Sequence, residues 1–394
     1  MTDLAFSATA GPAAAGRGAG AALRRAVPAL AAYAAIRLLG LATLATWSAA
    51  AGKDWQTLLA ARWDSLWYTR VAEHGYGYAV QLPGGEVHSN LAFFPLLPWL
   101  ERVLSALLPL SAAGAGLLVS WAASLAAAWV LYATGERLHG PRAGVALAAL
   151  WAAVPIGVVQ SMAYSEALFT ALAAGALYAV LTGRWVWAGV LTSLAGLTRP
   201  VGAAVVAALW VAAALVLWRE RSAEGRVTWR RHGRLLAGVA LAPLGWCGFF
   251  LWVGARQGSL TGYLDVQAGW DNGFDGGLAF ASFAWRLLTG PALPAGLALV
   301  AGVAAVIWLY VLGVRQGQPV PLLVYGGLVL ALALTAKGYF GSKPRLMLPA
   351  YPLLLPPAAA LARWRPRCAA AVVGALAAGS AVYGAFWLNG SGPP

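Results

Sequence analysis

Residues 290–314 read GPALPAGLALVAGVAAVIWLYVLGV, a run without a charged side chain that closes on Arg315. Coiled as an α-helix, it exceeds the roughly 20 residues needed to cross a ~30 Å hydrocarbon core. A helix is required there, because lipid offers backbone groups no hydrogen-bond partners and the segment must satisfy its own. Similar apolar runs occupy 26–48, 113–135, 143–160, 164–182, 185–198, 200–218, 235–255, 320–336, 346–362 and 368–388. The pair 185–198 and 200–218 is short and split at Thr198-Arg199-Pro200, so it reads as two crossings or as a re-entrant hairpin. The expected fold is an all-α polytopic membrane protein of about ten crossing helices, with no independent soluble domain.

Composition points the same way. Hydrophobic residues make up 61% of the chain and charged residues 10%, against roughly 25% charged in soluble proteins. The 20 Trp and 13 Tyr suit a protein with two membrane–water interfaces to anchor. The net charge of +14 does not indicate a nucleic-acid partner, because the arginines are spread between apolar segments rather than gathered in one stripe. Their natural partners are anionic lipid head groups and phosphates. Cys247 and Cys368 lie in or beside apolar spans and form no redox or metal motif, so they read as small buried hydrophobes.

Residues 1–25 are rich in Ala and Gly, end in Arg24-Arg25 and lack the layout of a cleavable signal, so they read as a disordered cytoplasmic tail. A single membrane domain is then expected over 26–388, with a short C-terminal tail at 389–394. With the N-terminus inside, 16 of the 27 basic residues fall in cytoplasmic segments, as the positive-inside rule requires. Asp54, Asp64, Glu73, Glu86, Glu101, Glu166, Asp265, Asp271 and Asp275 all fall outside. Carboxylates are the commonest catalytic bases and metal ligands, so chemistry is expected at the extracytoplasmic face of a cell-membrane protein. Two outer loops are long, 49–112 and 256–289, and long polar loops in a trimmed chain are usually functional. There is no fixed-period repeat, and no inverted repeat of the kind many transporters carry.

The first outer loop holds the densest cluster of unusual residues. In 61–76, Trp63, Leu66, Trp67 and Val71 recur at helical spacing, predicting an interfacial helix with Asp64 and Tyr68 flanking the apolar stripe and Gly75 ending it. Residues 89–100, with two prolines in an apolar run, predict a second interfacial or re-entrant helix packed over the first. Alternatively, both helices simply float on the membrane. His74 and His88, with Glu73 and Glu86, lack any standard ligand spacing and read as solvated loop residues.

Further along, Arg199 sits between two short apolar helices and is expected either to bridge to Glu166 or to hold a ligand phosphate. The 337–345 connection carries Lys337, Lys343 and Arg345 with two glycines, a pattern suited to binding an anion. Gln160, Tyr164, Ser165 and Glu166 form a polar group at a helix start, where Ser165 caps the helix or the group meets a substrate.

On these residues the chain resembles a known family. Trp63-Asp64-Ser65-Leu66-Trp67-Tyr68, Ala72-Glu73-His74-Gly75-Tyr76 and Ala92-Phe93-Phe94-Pro95-Leu96 are similar to the first-loop pattern of PIG-V-like mannosyltransferases of the GT-C superfamily. Tyr164-Ser165-Glu166-Ala167-Leu168-Phe169, Thr198-Arg199-Pro200-Val201-Gly202 and Lys343-Pro344-Arg345-Leu346-Met347-Leu348-Pro349 extend the resemblance. It implies a GT-C-like helical bundle with interfacial helices in the first outer loop, a polyprenyl-phosphate-linked mannose donor, and a first-loop acidic base that maps onto Asp64. The eukaryotic branch has Arg-Ser-Asn-Gly where this chain has Arg199-Pro200-Val201-Gly202, which weakens the carry-over of a GPI-intermediate acceptor.

The chemistry asks for the same parts. A lipid-phosphate sugar has a good leaving group, so inverting transfer needs one base for the acceptor hydroxyl and cations for the departing phosphate. Asp64 is the expected base. Arg199, Lys343 and Arg345 are the expected phosphate contacts, and Trp63, Tyr68, Tyr164 and Glu166 the expected sugar or acceptor contacts. The expected partners are a polyprenyl-phosphate-linked sugar, a glycolipid or glycoprotein acceptor and membrane lipids, with no nucleic acid. No cofactor or metal ligand set is expected, and assistance by a divalent metal stays open. Two alternatives compete: a lipid or polyprenyl-linked sugar transporter or flippase, for which Arg37 within the first span is the candidate midplane residue, and a non-catalytic membrane assembly subunit.

Overall fold

A computed structural model describes residues 19–224 and 229–393. The chain opens with α1 (Ala19–Ala50). The first outer loop follows as α2 (Trp55–Ala60), α3 (Asp64–His74), the hairpin β1 (Ala79–Gln81) and β2 (Val87–Ser89), and α4 (Leu96–Leu107). Then come α5 (Ala112–His139), α6 (Pro141–Ala152), α7 (Ser165–Leu181), α8 (Trp185–Gly196), α9 (Gly202–Glu224), α10 (Trp229–Leu241) and α11 (Leu244–Gln257). The second outer loop holds α12 (Gly262–Gly269), β3 (Gly273–Phe274) and α13 (Leu278–Thr289). It leads to α14 (Leu293–Arg315), α15 (Val320–Thr335), β4 (Ala336–Lys337), α16 (Lys343–Leu346), α17 (Leu355–Leu361) and α18 (Pro366–Asn389).

Among the described residues six helices are long and apolar enough to cross a bilayer, with α10 and α11 counted as one interrupted span, His232–Gln257. Pro243 explains the interruption, since it lacks the N–H that would continue the ladder. The other apolar helices are shorter, and they position the site. A full crossing takes about 20 residues. The α6 and α8 helices have 12 each and α7 has 17, so at ~1.5 Å per residue they rise only about 18–26 Å. Pro155 stops α6, because the residue before a proline is driven out of the α region, and the chain then runs through a 3-10 turn at Gly157–Ser161 to the start of α7. The α8–α9 turn falls at Leu197–Val201 around Pro200. The start of α7, the α8–α9 turn and α16 converge in space, and α3 lies across them.

The core lies between α1, α5, α6, α7, α9, α15 and α17, centred on Tyr33, Trp151, Tyr325 and Tyr351. Close approach of small residues tightens it, as usual between membrane helices. A Cβ on Gly189 of α8 would stand 2.5 Å from the carbonyl oxygen of Gly238 in α10, so no side chain fits there.

Several expectations need correction. Helix α1 begins at Ala19, so Arg24 and Arg25 are helical and only residues 1–18 of the presumed tail lie outside the described residues. The 61–76 helix starts at Asp64, and its buried face is Ser65, Tyr68, Val71 and Ala72, whereas Leu66 is half exposed. Tyr68 therefore belongs to the packed face rather than flanking it. Its helix packs against α4 and α5, and the contact runs through Tyr68, Phe93, Leu97 and Val119. Cys368 is exposed and Cys247 partly so, so neither is a buried core residue.

Candidate active site

The site begins at a strained turn. Trp63, just before α3, has φ 52°, a region unfavourable to a bulky side chain and held only where its surroundings insist on it. Arg62 supplies that restraint. Its backbone N–H donates to Ser65 Oγ (3.0 Å), and Ser65 Oγ donates back to the Arg62 carbonyl (2.6 Å). The Arg62 guanidinium donates to the carbonyls of Leu388 (2.9 Å) and Gly390 (3.3 Å) and stacks 3.9 Å from the Trp63 ring centroid. Asp64 is thereby fixed as the first residue of α3, with its N–H donating to the Tyr164 hydroxyl (3.3 Å).

Around Asp64 the charges alternate. Arg345 Nη1 donates to Asp64 Oδ2 at 2.7 Å, and Arg345 Nε lies 3.3 Å from Glu166 Oε1. Arg199 Nη1 lies 2.6 Å from the same Glu166 oxygen and donates to Ser165 Oγ at 3.0 Å. The Ser165 hydroxyl also hydrogen-bonds the Tyr68 hydroxyl at 2.8 Å, and Arg345 stands 5.1 Å from the Tyr164 ring centroid. Two carboxylates and two guanidiniums balance one another in a nearly closed space. Glu166 is 1% exposed, yet neither of its oxygens has a donor in hydrogen-bond geometry among the described residues. Burial pulls the pKa of Arg345 down, and the Asp64 and Glu166 carboxylates more than offset it, so the guanidinium stays charged. The Tyr68 phenol is pushed up, mainly by burial.

Asp64, Tyr68, Tyr164, Glu166, Arg199 and Arg345 thus come together from four chain regions. The other two expected residues do not join the charged pairs. Trp63 packs in an apolar cluster of Leu44, Leu59 and Leu348 that also holds Tyr164. Lys343 donates to the Ala336 carbonyl, and burial lowers its pKa against the opposing charge of Asp275. The 337–345 segment is therefore not one anion cradle. Lys337 pairs with Asp271, Gly338 makes room for Asn272, and Gly341 faces the Tyr339 ring. Ser165 does not cap α7, since its hydroxyl is taken by Tyr68 and Arg199. Gln160 lies in a different network, between the Tyr33 hydroxyl and the Trp151 carbonyl. Arg37 is buried beside Gly157 and Ser380, apart from the charged group. His88 is not simply solvated, because it stacks on Trp270 at 4.0 Å. Among the described residues no group of three His, Cys, Asp or Glu side chains could hold a metal ion.

Sequence reasoning missed three features. Arg62 is one such residue, since its partners are carbonyls more than 300 positions away, which no local pattern signals. Glu101, expected only to lie on the outer side, is fully buried with both oxygens unpartnered among the described residues. It presses on Gly116, where a Cβ would come within 2.5 Å of Oε1. The third is a chain of rings from Tyr68 through Phe93 to Trp67 and Trp270, which ties the second outer loop to the first.

The comparisons with known proteins fall on the same regions. The profile of a family described as Mannosyltransferase (PIG-V) matches residues 34–218, just under half of the chain. GPI alpha-1,6-mannosyltransferase 2 of Mus musculus is 34% identical over 152 residues, 36% of this chain and 29% of that protein, and its Rattus norvegicus counterpart matches equally. The match thus spans under a third of those relatives' length. Among solved structures, ArnT from Cupriavidus metallidurans bound to undecaprenyl phosphate superimposes with a TM-score of 0.53 at 16% identity, covering 85% of this chain and 60% of that one. The chain is a multi-pass, all-α membrane protein with a GT-C-like helical bundle.

Proposed function

We propose that the protein is an inverting mannosyltransferase that uses a polyprenyl-phosphate-linked donor and an extracytoplasmic glycolipid or glycoprotein acceptor. The observation that carries this reading is the pairing of Asp64 with Arg345 at 2.7 Å, beside Glu166 and Arg199. The first outer loop, 49–112, supplies the base, and the remaining helices supply the cations and a bed for the prenyl chain. The family match over 34–218 takes in Asp64, Glu166 and Arg199.

The ion pairs suggest how substrate engages. Free of donor, Arg345 holds Asp64 in a charge-assisted hydrogen bond, and such bonds are about twice as strong as neutral ones. A donor phosphate competes for the guanidiniums of Arg345 and Arg199 and so loosens both carboxylates. Asp64 then takes the proton of the acceptor hydroxyl while that oxygen attacks the sugar C1 from the face opposite the phosphate. The C1–O(phosphate) bond breaks, its electron pair leaves on polyprenyl phosphate, and the arginines stabilise the departing charge. Glu166, ion-paired but without an aligned hydrogen-bond donor among the described residues, can accept hydrogen bonds from sugar hydroxyls once the arginines turn to the phosphate.

The test is Asp64→Asn, assayed with purified protein, radiolabelled polyprenyl-phosphate mannose and candidate acceptors. Loss of the general base is expected to slow transfer at least ~10²-fold, with the protein still folded and its elution unchanged. Transfer at the wild-type rate would remove Asp64 from this role.

A further inference from the structure

Away from the charged group the described residues form a groove of about 250 Å³ between α5, α7 and α8. Its walls include Trp129, Ala133, Gly175, Tyr178, Arg184 and Trp187. It lies at the far end of α7 from Glu166. Tyr178 is 12 residues along from Glu166, or about 18 Å at 1.5 Å per residue, so the groove and the candidate active site face opposite leaflets. Trp129 and Trp187 are 44% and 64% exposed, so the groove opens outward towards lipid.

The chemistry of the walls is one-sided. Most lining groups are apolar, and the Thr182 hydroxyl is already spent on the Tyr178 carbonyl. Arg184 is the only charged residue in the lining, and no carboxylate faces it there. The two indoles can only donate. The volume falls below the roughly 300 Å³ at which ordinary small-molecule pockets begin, which suits a length of hydrocarbon chain better than a bulky polar group. Gly175 keeps the space open, since a Cβ there would already stand 3.2 Å from Leu191 Cδ1.

We propose that this groove is a binding site for one anionic glycerophospholipid of the leaflet opposite the candidate active site. An acyl chain lies between Trp129 and Trp187, and Arg184 forks the head-group phosphate. Guanidinium matches phosphate bidentately, and tryptophan favours the depth at which head group meets chain. The complementary charge of Arg184 selects an anionic lipid over a zwitterionic one of the same chains. This site does not depend on the proposed transferase activity.

The experiment is native mass spectrometry of delipidated full-length protein titrated with phosphatidylglycerol or phosphatidylcholine of identical acyl chains. Wild-type protein is expected to retain one phosphatidylglycerol about tenfold more tightly than phosphatidylcholine, roughly 1.4 kcal/mol. Arg184→Gln should erase that preference, Gly175→Leu should weaken retention of both lipids, and Arg315→Gln, at the end of α14, should change neither. Arg184 is exposed, so its replacement tests charge without disturbing the core. Equal retention of the two lipids by the wild type, or an unchanged preference in Arg184→Gln, would overturn the proposal. Weaker retention of undecaprenyl phosphate by Gly175→Leu, with retention of phosphatidylglycerol unchanged, would also overturn it, by giving the groove to a prenyl chain.

Discussion

Arg345 is shared between two carboxylates, so its removal and its replacement by lysine should differ. With alanine there, Asp64 loses its cation and Glu166 keeps only Arg199. Breaking a buried pair from one side costs about 3–5 kcal/mol, so Arg345→Ala should lower the thermal midpoint visibly as well as abolish transfer. Lysine keeps the charge but not the fork. Arg345→Lys is therefore expected to stay folded while transfer falls on the order of 10²-fold, as when one transition-state donor is lost. Thermal midpoint and single-turnover rate, measured on the same preparation, separate the two effects. Glu101 offers an independent check, because burial, with a smaller contribution from Glu73, pushes its carboxyl up to about 9. Between the ordinary carboxylate value and that figure the folded state holds a proton that the unfolded state has released, so stability falls as pH rises, by about 1.4 kcal/mol per pH unit. Above about 9 the slope ends. Glu101→Gln should raise the midpoint at neutral pH and flatten this dependence; an unchanged slope in the variant would place its origin elsewhere.

At the level of elements, the short helices matter more than the long ones. Arg199 is held three residues beyond the end of α8, and α8 is pressed against α10 through Gly189. A leucine at 189 must push the two helices apart, and overpacking of this kind costs typically ~1–3 kcal/mol. Gly189→Leu is thus expected to lower the midpoint and to loosen Arg199 from Glu166, with a smaller effect from Gly189→Ala; midpoints of the two variants decide it. The helices themselves were legible in the chain, because a membrane leaves only length and apolarity to satisfy. The span expected at 164–182 became α7 at Ser165–Leu181, and that at 320–336 became α15 at Val320–Thr335. The face of α3 was less legible. Trp63, Leu66, Trp67 and Val71 looked like its buried stripe, but a helix between lipid and protein has two apolar environments, and hydrophobic spacing does not tell them apart. Tyr68 turned inward because its hydroxyl had Ser165 to meet.

Over the whole molecule, the convergence of Asp64, Glu166, Arg199 and Arg345 followed from where helices stop. Each residue could be singled out as a charge at the outer end of an apolar run. Which cation met which carboxylate could not, since the Asp64–Arg345 pair joins positions 281 apart. Lys343 shows the limit, for it lies two residues from Arg345 and points to a different partner. The same helix ends make the proposed orientation testable. Helix α9 has 23 residues, about 35 Å of rise, so it carries the chain from the Arg199 turn to the basic stretch around Arg221 on the other side of the bilayer. With Cys247 and Cys368 replaced by alanine, Glu86→Cys and Arg221→Cys each present one exposed thiol. A membrane-impermeant maleimide added to intact cells should label position 86 and spare position 221, and permeabilised cells should show both labelled. The reverse pattern would turn Asp64 towards the cytosol and remove it from any extracytoplasmic acceptor, because the loop that carries it enters and leaves on the same side as position 86.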